Sequence, residues 1–455
     1  MGVEAIILAA GQGTRMRSKL PKVLHTLAGK PLVTRLAETT STLDLAGLHV
    51  VVGHAAKQVS EAVAHLGAQC HVQAEQKGTG HAFGIASEHV ADDSILLLMY
   101  ADSPLIPAEV MQQMVDQAQQ DKLVMLTVTL DNPTGFGRIL RNHNNQVQAI
   151  VEHKDATPEQ LAIGEINTGV YALPAKRLKE WLPRLDTNNA QGELYVTDIV
   201  EFAVADGVDI KVVQPPHIEQ ALGVNDRIQL AELERWYQQY QATELMRNGV
   251  RVADPTRIDV RGELTCGEDV AIDINCVFEG CVKLGDDVVI GPNCTIKDAT
   301  VGAGTVIKAN SVIEGAVIAE QCDIGPFARL RLGTELANKA KVGNFVETKK
   351  TYLGEGSKAN HFTYLGDSDV GAGVNIGAGT ITCNYDGVNK FQTRIEDGVF
   401  VGSNSSLVAP LIIGAGATVG AGSTITKDIP AQHLAVARGK QRNMASWTKP
   451  VKIDK

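Results

Sequence analysis

The sequence predicts a doubly wound α/β domain, followed by a long helix and then a β-solenoid. Three observations predict this order. Continuous apolar runs of strand length alternate with amphipathic stretches of helical length in the first half of the chain. Residues 226–248 have the pattern of one uninterrupted helix, and apolar residues recur at every sixth position after it. We therefore predict domains at residues 1–227 and 249–455, joined by a linker helix at 228–248.

Length and charge exclude several classes of protein. At 455 residues the chain is too long for one compact domain of about 150 residues. A formal net charge of −10 disfavours nucleic acid or an anionic membrane as the main partner. No apolar run approaches the roughly 20 residues that span a bilayer, and the first strand has no basic leader before it. The seven cysteines form no CxxC pair, so we expect reduced thiols and a cytoplasmic protein.

The first half has the pattern of parallel strands covered by helices. Its continuous apolar runs lie at residues 5–10, 49–52, 95–100 and 123–130, with amphipathic stretches such as 32–39 and 81–90 between them. A run that is apolar on both faces is typical of a strand buried between two helical layers. In such sheets ligands bind at the carboxyl ends of the strands, so we expect a site there.

A glycine-rich loop follows the first predicted strand. Gly11 and Gly13 let backbone N–H groups approach phosphate oxygens, and Arg15 and Lys22 supply positive charge. The loop is not a dinucleotide fingerprint, because position 16 is Met, and it is not a GKS or GKT P-loop. Two interpretations stay open at this point: a phosphate-binding loop of another type, or a tight turn with solvated basic residues.

Asp102 follows the predicted strand 95–100 directly. A carboxylate at the carboxyl end of a buried parallel strand is well placed to hold Mg²⁺ against a triphosphate. The alternative is a turn or helix-capping aspartate ahead of Pro104.

Residues 226–248 are predicted to form a spacer helix about 33 Å long. Asp226 is suited to cap its start, and Gly249 is suited to end it. The apolar stripe of this helix is predicted to consist of Ile228, Leu233, Trp236 and Tyr240.

The second half repeats every six residues, which fits neither a helix nor an ordinary amphipathic strand. The repeat predicts a solenoid in which each short strand directs one apolar side chain into a shared core. The frame consists of two series. The first contains two steps of five residues: Leu284, Ile290, Ile296, Val301, Ile307, Ile313, Ile318, Ile324, Leu330, Leu336 and Val342. The second has no break: Ile395, Val401, Leu407, Ile413, Val419 and Ile425. Residues 382–394 leave the frame, which predicts a loop on the binding face.

Several residues stand one or two positions from the frame and are therefore expected on the outside or at the edges: Arg331, His361, Asn375, Ser403 and Ala421. A solenoid with apolar residues inside and these residues outside could form a site where a neighbouring solenoid packs against it. Taken alone, a single histidine such as His361 is more typical of a structural or solvated residue.

Together the motifs of the first half resemble those of sugar-1-phosphate nucleotidyltransferases. They are LAAGQGTRM at 8–16, LPK at 20–22, QAEQKGTGHA at 73–82, GFGR at 135–138, VEHKD at 151–155, EINTG at 165–169 and GVNDR at 223–227. With the solenoid, their order and spacing resemble a bacterial bifunctional family, the N-acetylglucosamine-1-phosphate uridylyltransferase / glucosamine-1-phosphate N-acetyltransferases. The resemblance covers essentially the whole chain. It implies an N-terminal Rossmann-like nucleotidyltransferase domain and a C-terminal left-handed parallel β-helix of hexapeptide repeats.

The resemblance implies a uridylyltransferase site in the first half, where N-acetylglucosamine 1-phosphate attacks the α-phosphorus of UTP. Arg15 and Lys22 would be its catalytic cations, and Asp102 and Asn225 would bind Mg²⁺. The implied UTP and UDP-N-acetylglucosamine ligands are Leu8, Ala9, Ala10, Gly11, Lys22, Gln73, Gly78, Thr79, Tyr100, Ala101, Asp102, Gly137, Glu152, Asn167 and Asn225. The product would supply peptidoglycan and lipopolysaccharide synthesis.

The resemblance also implies a homotrimer that binds acetyl-CoA between subunits and acetylates glucosamine 1-phosphate. His361 would be the general base, because only the neutral amine can attack a thioester and an imidazole accepts its proton near pH 7. The sugar phosphate would be held by Arg331, Lys349, Tyr364 and Asn375. Acetyl-CoA would be bound by Ala378, Asn384, Tyr385, Ser403, Ala421 and Arg438.

Three residues depart from the family pattern, and two other functions compete with the leading one. Ala101 replaces a glycine and is expected to crowd the nucleotide, whereas Leu332 replaces a proline and Thr348 an apolar frame residue. The alternatives are a nucleotidyltransferase whose solenoid serves only for assembly, and a non-catalytic assembly subunit. His361 and the loop residues Asn384 and Tyr385 favour acetyl transfer.

Overall fold

The computed structural model of the protein describes residues 2–452. The chain divides into two units, one ending at Tyr237 and the other beginning at Gln238. This division lies inside the helix Arg227–Arg247, which has nearly the bounds predicted for the linker. The assignment of 1–227, 228–248 and 249–455 as separate domains stays a prediction. No helix among the described residues is both long enough and apolar enough to cross a membrane.

The first unit is built on a mixed sheet that confirms the predicted strands. The strands β1–β11 are, in chain order, Val3–Ala9, Thr26–Leu27, Lys30–Pro31, Leu45–Val52, Gln69–Val72, Ile95–Tyr100, Leu123–Thr129, Arg138–Arg141, Val147–Val151, Glu165–Pro174 and Ile210–Val213. The sheet order is β11-β7-β10-β6-β1-β4-β5, with the hairpin β8–β9 attached to β10. All pairs along this order are parallel except those of β10, which runs antiparallel to β6 and β7 and was not predicted.

Helices cover the sheet on both faces. The helices α1–α8 are Leu32–Thr40, Ala56–Val63, Thr79–Ser87, Ala108–Ala118, Pro158–Leu161, Ala175–Trp181, Ile199–Ala205 and Arg227–Arg247. Short 3-10 helices lie at Thr14–Met16, Lys22–Leu24, Ala64–Leu66, Leu182–Arg184, Val196–Asp198, Ile218–Ala221 and Pro255–Arg257. In β1, Ile7 belongs to one hydrophobic cluster and Ile6 to another, and both are fully buried. This burial on two faces confirms the doubly wound arrangement.

The helix α8 begins and ends as predicted, but its apolar stripe differs. Asp226 Oδ1 accepts hydrogen bonds from the backbone N–H groups of Ile228 and Gln229, each at 2.9 Å, and so caps the helix. Gly249 follows it with a φ of +93°. The stripe prediction is wrong at Ile228, whose side chain is 70% exposed, whereas Leu233 is buried. The stripe is therefore shorter than predicted.

The second unit is a parallel β-helix. Its strands β12–β36 are Arg251–Val252, Ile258–Cys266, Ala271–Ile272, Cys276–Leu284, Val289–Ile290, Thr295–Val301, Val306–Ile307, Val312–Glu314, Ala316–Ile318, Asp323–Ile324, Arg329–Leu330, Thr334–Leu336, Lys341–Asn344, Glu347–Leu353, Lys358–His361, Tyr364–Val370, Asn375–Ile376, Ile381–Cys383, Thr393–Ile395, Phe400–Val401, Ser406–Val408, Leu411–Ile413, Thr418–Val419, Thr424–Ile425 and Leu434–Ala435. Every pairing of these strands is parallel, and one sheet runs β12-β14-β16-β18-β21-β24-β26-β28-β31-β34-β36.

The predicted hexad frame forms the core of this β-helix. All of its members are at most 4% exposed and belong to one hydrophobic cluster. Thr348, the polar residue on the frame, is also fully buried, and its hydroxyl is 3.0 Å from that of Thr334. The contact gives the buried Thr348 hydroxyl a hydrogen-bond partner. An apolar residue at this position would not need one. Residues 384–392 leave the wall between β29 and β30, and both strands keep their parallel partners.

Candidate functional site

A cavity of about 250 Å³ opens in the first unit where β1 and β6 end. Its lining includes ten of the residues predicted to bind nucleotide: Leu8, Ala9, Ala10, Gly11, Lys22, Gln73, Gly78, Thr79, Tyr100 and Asp102. Val23, Gln76, Ala82 and Glu193 complete it, and the sequence analysis names none of these four. Gln76 donates a 2.9 Å hydrogen bond to the Ala10 carbonyl. It lies within the QAEQKGTGHA motif, which is the sequence signal that could have identified it as a cavity residue.

The glycine-rich loop folds back over its own basic residue. Gly13 has a φ of +62°, and a Cβ there would lie 2.4 Å from Lys22 Cβ. Only glycine permits this close approach without strain. The loop therefore places the Lys22 ammonium at the wall of the cavity.

Two oxygen-bearing side chains share the Lys22 ammonium. Lys22 Nζ contacts Asp102 Oδ2 and lies 3.3 Å from Asn225 Oδ1, and Arg15 donates a 2.8 Å hydrogen bond to the same Asn225 oxygen. Asp102 caps no helix, because α4 begins only at Ala108. Two predicted catalytic cations and two predicted metal ligands thus form one network.

The Asp102 and Asn225 oxygens fit a Mg²⁺ ion by their chemistry. Mg²⁺ prefers oxygen ligands, and it commonly takes one or two from the protein and the rest from phosphates and water. The two oxygens already lie around one cation, the Lys22 ammonium. Among residues 2–452 no group of three or more His, Cys, Asp or Glu side chains is arranged to hold a metal ion. A site that draws on a nucleotide's phosphates needs no such group.

The residues predicted to hold the sugar adjoin one another beside β8, β9 and β10. The backbone N–H of Asn167 donates a 2.9 Å hydrogen bond to the Gly137 carbonyl. A Cβ at Gly137 would lie 3.3 Å from a carboxylate oxygen of Glu152, so the three residues form one patch. Burial raises the pKa of the Glu152 carboxyl, and the charges of Asp155 and Asp198 raise it further. The patch therefore keeps a carboxyl group that is harder to ionise than an exposed glutamate.

Ala101 lies beneath the cavity and does not line it. Its side chain is fully buried in the hydrophobic cluster that contains Ala9, Met99 and Ile106. Its backbone N–H donates a 2.9 Å hydrogen bond to the Leu8 carbonyl. The Ala101 methyl therefore packs into the core, and its effect on nucleotide binding stays a prediction.

In the β-helix, the predicted base and several predicted coenzyme residues occupy one column. The register pairs the buried residues Val342, Ala359, Ile376, Val401 and Val419 on successive coils. Two positions after each of them stand Asn344, His361, Ala378, Ser403 and Ala421. At about 4.8 Å per coil, this column extends about 14 Å from His361 to Ala421. Arg438 closes its far end with a 2.6 Å hydrogen bond to the Ala421 carbonyl.

His361 is exposed and oriented by one partner. Its Nδ1 lies 2.6 Å from Asn344 Oδ1 on the preceding coil. An amide oxygen accepts a hydrogen bond, so in the neutral imidazole Nδ1 carries the proton and Nε2 has the lone pair. Asn344, which the sequence analysis does not name, thus sets the tautomer that a general base requires.

A cluster of positive charge lies on the neighbouring face. Lys390, from the loop 384–392, is the main cause that lowers the pKa of Lys349, and Arg331 lowers it further. Glu347 partly balances the cluster with a 2.7 Å ion pair to Arg331. Sequence reasoning missed Lys390 because its position in a loop gives no periodic signal.

The other predicted residues of this site surround the same face. The Tyr364 hydroxyl and the Asn384 amide both lie against Gly366, where a Cβ would meet them. Gly366 pairs in register with Lys349. Tyr385 forms an isolated bridge with Lys390 across the loop, and its hydroxyl donates a 2.5 Å hydrogen bond to the Gly387 carbonyl. Leu332 is two-thirds exposed, and the Arg331–Glu347 ion pair is present beside it in the sequence.

Asn375 lies on the sheet that also carries His361, one coil further along. It pairs with Lys358 in β26 and with Phe400 in β31. The structure therefore brings the predicted sugar and coenzyme residues of the second half onto two adjoining faces of the β-helix.

Three family models match parts of the chain. The family of MobA-like NTP transferase domains matches residues 5–250, and the bacterial transferase hexapeptide family, with six repeats, matches residues 392–427. The GMPPB C-terminal domain family matches residues 260–353.

Curated relatives match the chain over its full length. The bifunctional protein GlmU of Marinobacter nauticus is 56% identical over 450 residues, covering 99% of each chain. That of Stutzerimonas stutzeri is 55% identical, covering 99% of this chain and all of its own. That of Pseudomonas entomophila is 54% identical, covering both chains completely.

We expect Lys390→Gln to raise the pKa of Lys349, because it removes the positive charge that lowers it most. The measurement is NMR of ¹³C-dimethylated lysines as a function of pH on the full chain. Lys427→Gln is the matched control, since Lys427 is an exposed lysine elsewhere on the β-helix. An unchanged pKa of Lys349 in Lys390→Gln would show that the two ammonium groups do not meet in solution.

Proposed function

The chain belongs to the family of bifunctional GlmU proteins, and we propose which of its residues carry out each of the family's two activities. It is a bifunctional transferase. The β-helix transfers an acetyl group from acetyl-CoA to glucosamine 1-phosphate. The α/β unit then transfers UMP from UTP to N-acetylglucosamine 1-phosphate, giving UDP-N-acetylglucosamine and pyrophosphate. The observation that carries the residue assignment is the column that begins at His361 and ends at Ala421.

In UMP transfer, the α/β unit supplies position and positive charge. A phosphate oxygen of the sugar phosphate attacks the α-phosphorus, and pyrophosphate leaves, so no protein nucleophile is needed. Lys22 and Arg15 are placed to neutralise the phosphates, because their cationic groups meet at Asn225. Asp102 and Asn225 would hold Mg²⁺, which would supply further neutralisation of phosphate charge. Gly137, Glu152 and Asn167 would hold the sugar.

In acetyl transfer, His361 accepts the proton of the attacking amine. Its Nε2 is the available base because Nδ1 is engaged with Asn344. The amine nitrogen bonds to the thioester carbon, the C–S bond breaks, and the coenzyme A sulfur takes the proton from His361 and leaves as the thiol. Arg331, Lys349 and Lys390 would bind the phosphate of glucosamine 1-phosphate, with Tyr364 and Asn375 at the sugar.

Three of the residues proposed to bind acetyl-CoA lie along the column of the β-helix. Ala378, Ser403 and Ala421 present only small side chains along about 14 Å of wall, which leaves room for an extended pantetheine arm. Arg438 stands at the far end, where it would meet the coenzyme's phosphates. Asn384 and Tyr385 belong to the loop beside the sugar face.

We also propose a homotrimer, and a cytoplasmic location where UTP and acetyl-CoA are made. An exposed phenyl stack supports the first proposal: Phe327, Phe345 and Phe362 lie on successive coils with ring centroids 5.2 and 5.3 Å apart, each about half exposed. Phe362 directly follows His361, so a partner copy covering the stack would also reach the base. Exposed stacked aromatic rings of this size mark contact surfaces.

Sedimentation equilibrium of the full chain tests this assembly. Three chains per particle are expected in the wild type, and Phe345→Glu is expected to shift the distribution to smaller species, because it would bury a charge in the contact. Ile412→Glu, at an exposed apolar residue on another face, is the matched control. A monomeric wild type would contradict the assembly.

We expect His361→Ala to lower acetyl transfer by about 10²- to 10⁴-fold, because the general base is removed. UMP transfer should be unchanged, since it takes place in the other unit. Release of free coenzyme A thiol and of pyrophosphate measure the two reactions separately. His433→Ala, at another exposed histidine of the β-helix, should leave both unchanged. Loss of both activities in His361→Ala would refute separate sites.

We expect Asp102→Ala to lower UMP transfer at least about 100-fold while sparing acetyl transfer, because it removes a proposed Mg²⁺ ligand. Chelation with EDTA should have the same selective effect, measured as pyrophosphate release. Asp121→Ala, at an exposed carboxylate paired with Arg177, is the control and should keep both activities. Pyrophosphate release that survives both Asp102→Ala and EDTA would overturn the metal assignment.

A further inference from the structure

The side-chain amide of Asn167 has one fixed orientation. Asn167 Oδ1 accepts a 3.1 Å hydrogen bond from the backbone N–H of Gly169 and a 3.0 Å hydrogen bond from the Tyr171 hydroxyl. A backbone N–H can only donate, so the atom that faces Gly169 must be the amide oxygen. The hydroxyl of Tyr171 must then donate to the same oxygen. The two donors settle which way the amide is turned.

The amide nitrogen of Asn167 is left for a ligand. Asn167 Nδ2 makes no hydrogen bond to the protein within residues 2–452, and it is not one of the fully enclosed atoms without a partner. Asn167 belongs to the patch with Gly137 and Glu152. An NH₂ group offers two donors and no acceptor. The group of a sugar that meets it must therefore accept a hydrogen bond.

Tyr171 is held rigidly as a permanent donor. Its side chain is fully buried, and burial raises the pKa of its hydroxyl well above the usual value, so the proton stays on the oxygen. In β10 it pairs with Leu98 on one side and Met125 on the other. The neighbouring hydroxyl-bearing ring, Tyr100, packs against Gly169, where a Cβ would lie 2.5 Å from the ring.

A register shift in β10 makes the contact possible. Residues four apart in a regular strand are separated by about 13 Å, which is too far for this hydrogen bond with the side chains standing parallel. The pairing of β10 with β7 shifts between Asn167 and Tyr171. Such irregularities redirect side chains at functional sites. The strand that the sequence did not predict is therefore the one that shapes the sugar patch.

We propose that Tyr171 is a positioning residue, which fixes the Asn167 amide so that it offers only N–H donors to the sugar phosphate. The proposal rests on the proposed role of Asn167 in holding the sugar. The accepting atom on the sugar is a ring hydroxyl oxygen or the acetyl carbonyl oxygen. The ammonium group of glucosamine 1-phosphate has no lone pair, so it cannot accept a hydrogen bond from this amide.

A double-mutant cycle tests the proposal in the full chain. Tyr171→Phe should raise the KM for N-acetylglucosamine 1-phosphate about three- to tenfold, the usual worth of one net hydrogen bond, with kcat and the KM for UTP unchanged within about twofold. In an Asn167→Ala background the same change should have no further effect. Equal losses in both backgrounds would show a purely structural role and overturn the proposal.

Three further arms keep the outcomes distinct. If Asn167→Ala alone leaves the KM for the sugar phosphate unchanged, the sugar role of Asn167 fails, whatever Tyr171 does. Tyr237→Phe, at a hydroxyl that accepts from Arg35 in the same unit, is the matched control and should change neither KM. An unchanged KM for UTP, which is bound in the same unit, reports that each variant is folded.

Asn167→Asp is the variant that tests the amide donor if Tyr171→Phe does not fold. It replaces the donor with a second oxygen, so we expect the KM for the sugar phosphate to rise more than tenfold with the KM for UTP unchanged. Unimpaired binding would overturn the claim that the amide donates. The ratio of activity on N-acetylglucosamine 1-phosphate to that on glucosamine 1-phosphate identifies the acceptor. A falling ratio in Tyr171→Phe indicates the acetyl oxygen, and a constant ratio indicates a ring hydroxyl.

Discussion

Burial of one apolar side chain on each face of each coil is the interaction on which the proposed acetyl-transfer site depends. The parallel register follows from it, because a coil shifted by one residue would turn its frame residue outward. That register alone brings Asn344, His361, Ala378 and Ser403 into one column from four different coils. The chemistry at the surface is therefore positioned by an apolar core that takes no part in it.

The two sites manage positive charge in different ways. In the α/β unit, Lys22 is paired with Asp102, so its charge is balanced before any phosphate arrives. On the β-helix, Lys349 and Lys390 lie together, and Glu347 is bound to Arg331. At the proposed second site an incoming phosphate would relieve repulsion, whereas at the proposed first site it would compete with a carboxylate. This contrast is a physical reason to propose a metal ion at the first site only, because a divalent ion would take over Asp102.

Much of the fold could be predicted from the sequence, because it depends on local periodicity. The hexad frame, the helix ends at Asp226 and Gly249 and the strand before Asp102 all leave such a pattern. What could not be predicted depends on tertiary context. The antiparallel β10 has no pattern that gives its direction, and Lys390 meets Lys349 only through a folded loop. One residue in a motif also does not reveal which way its side chain points, and the Ala101 methyl packs into the core.

The loop at residues 384–392 has a consequence for how such a protein can change. It leaves and rejoins the wall without disturbing the pairing of β29 with β27 and β32, or of β30 with β27 and β33. Its length is therefore decoupled from the stability of the scaffold. A different excursion could be grafted between Cys383 and Thr393 and would meet the same preformed wall. Evolution, or a protein engineer, can thus exchange the contacts proposed for Asn384, Tyr385 and Lys390 while the column from Ala378 to Ala421 stays as it is.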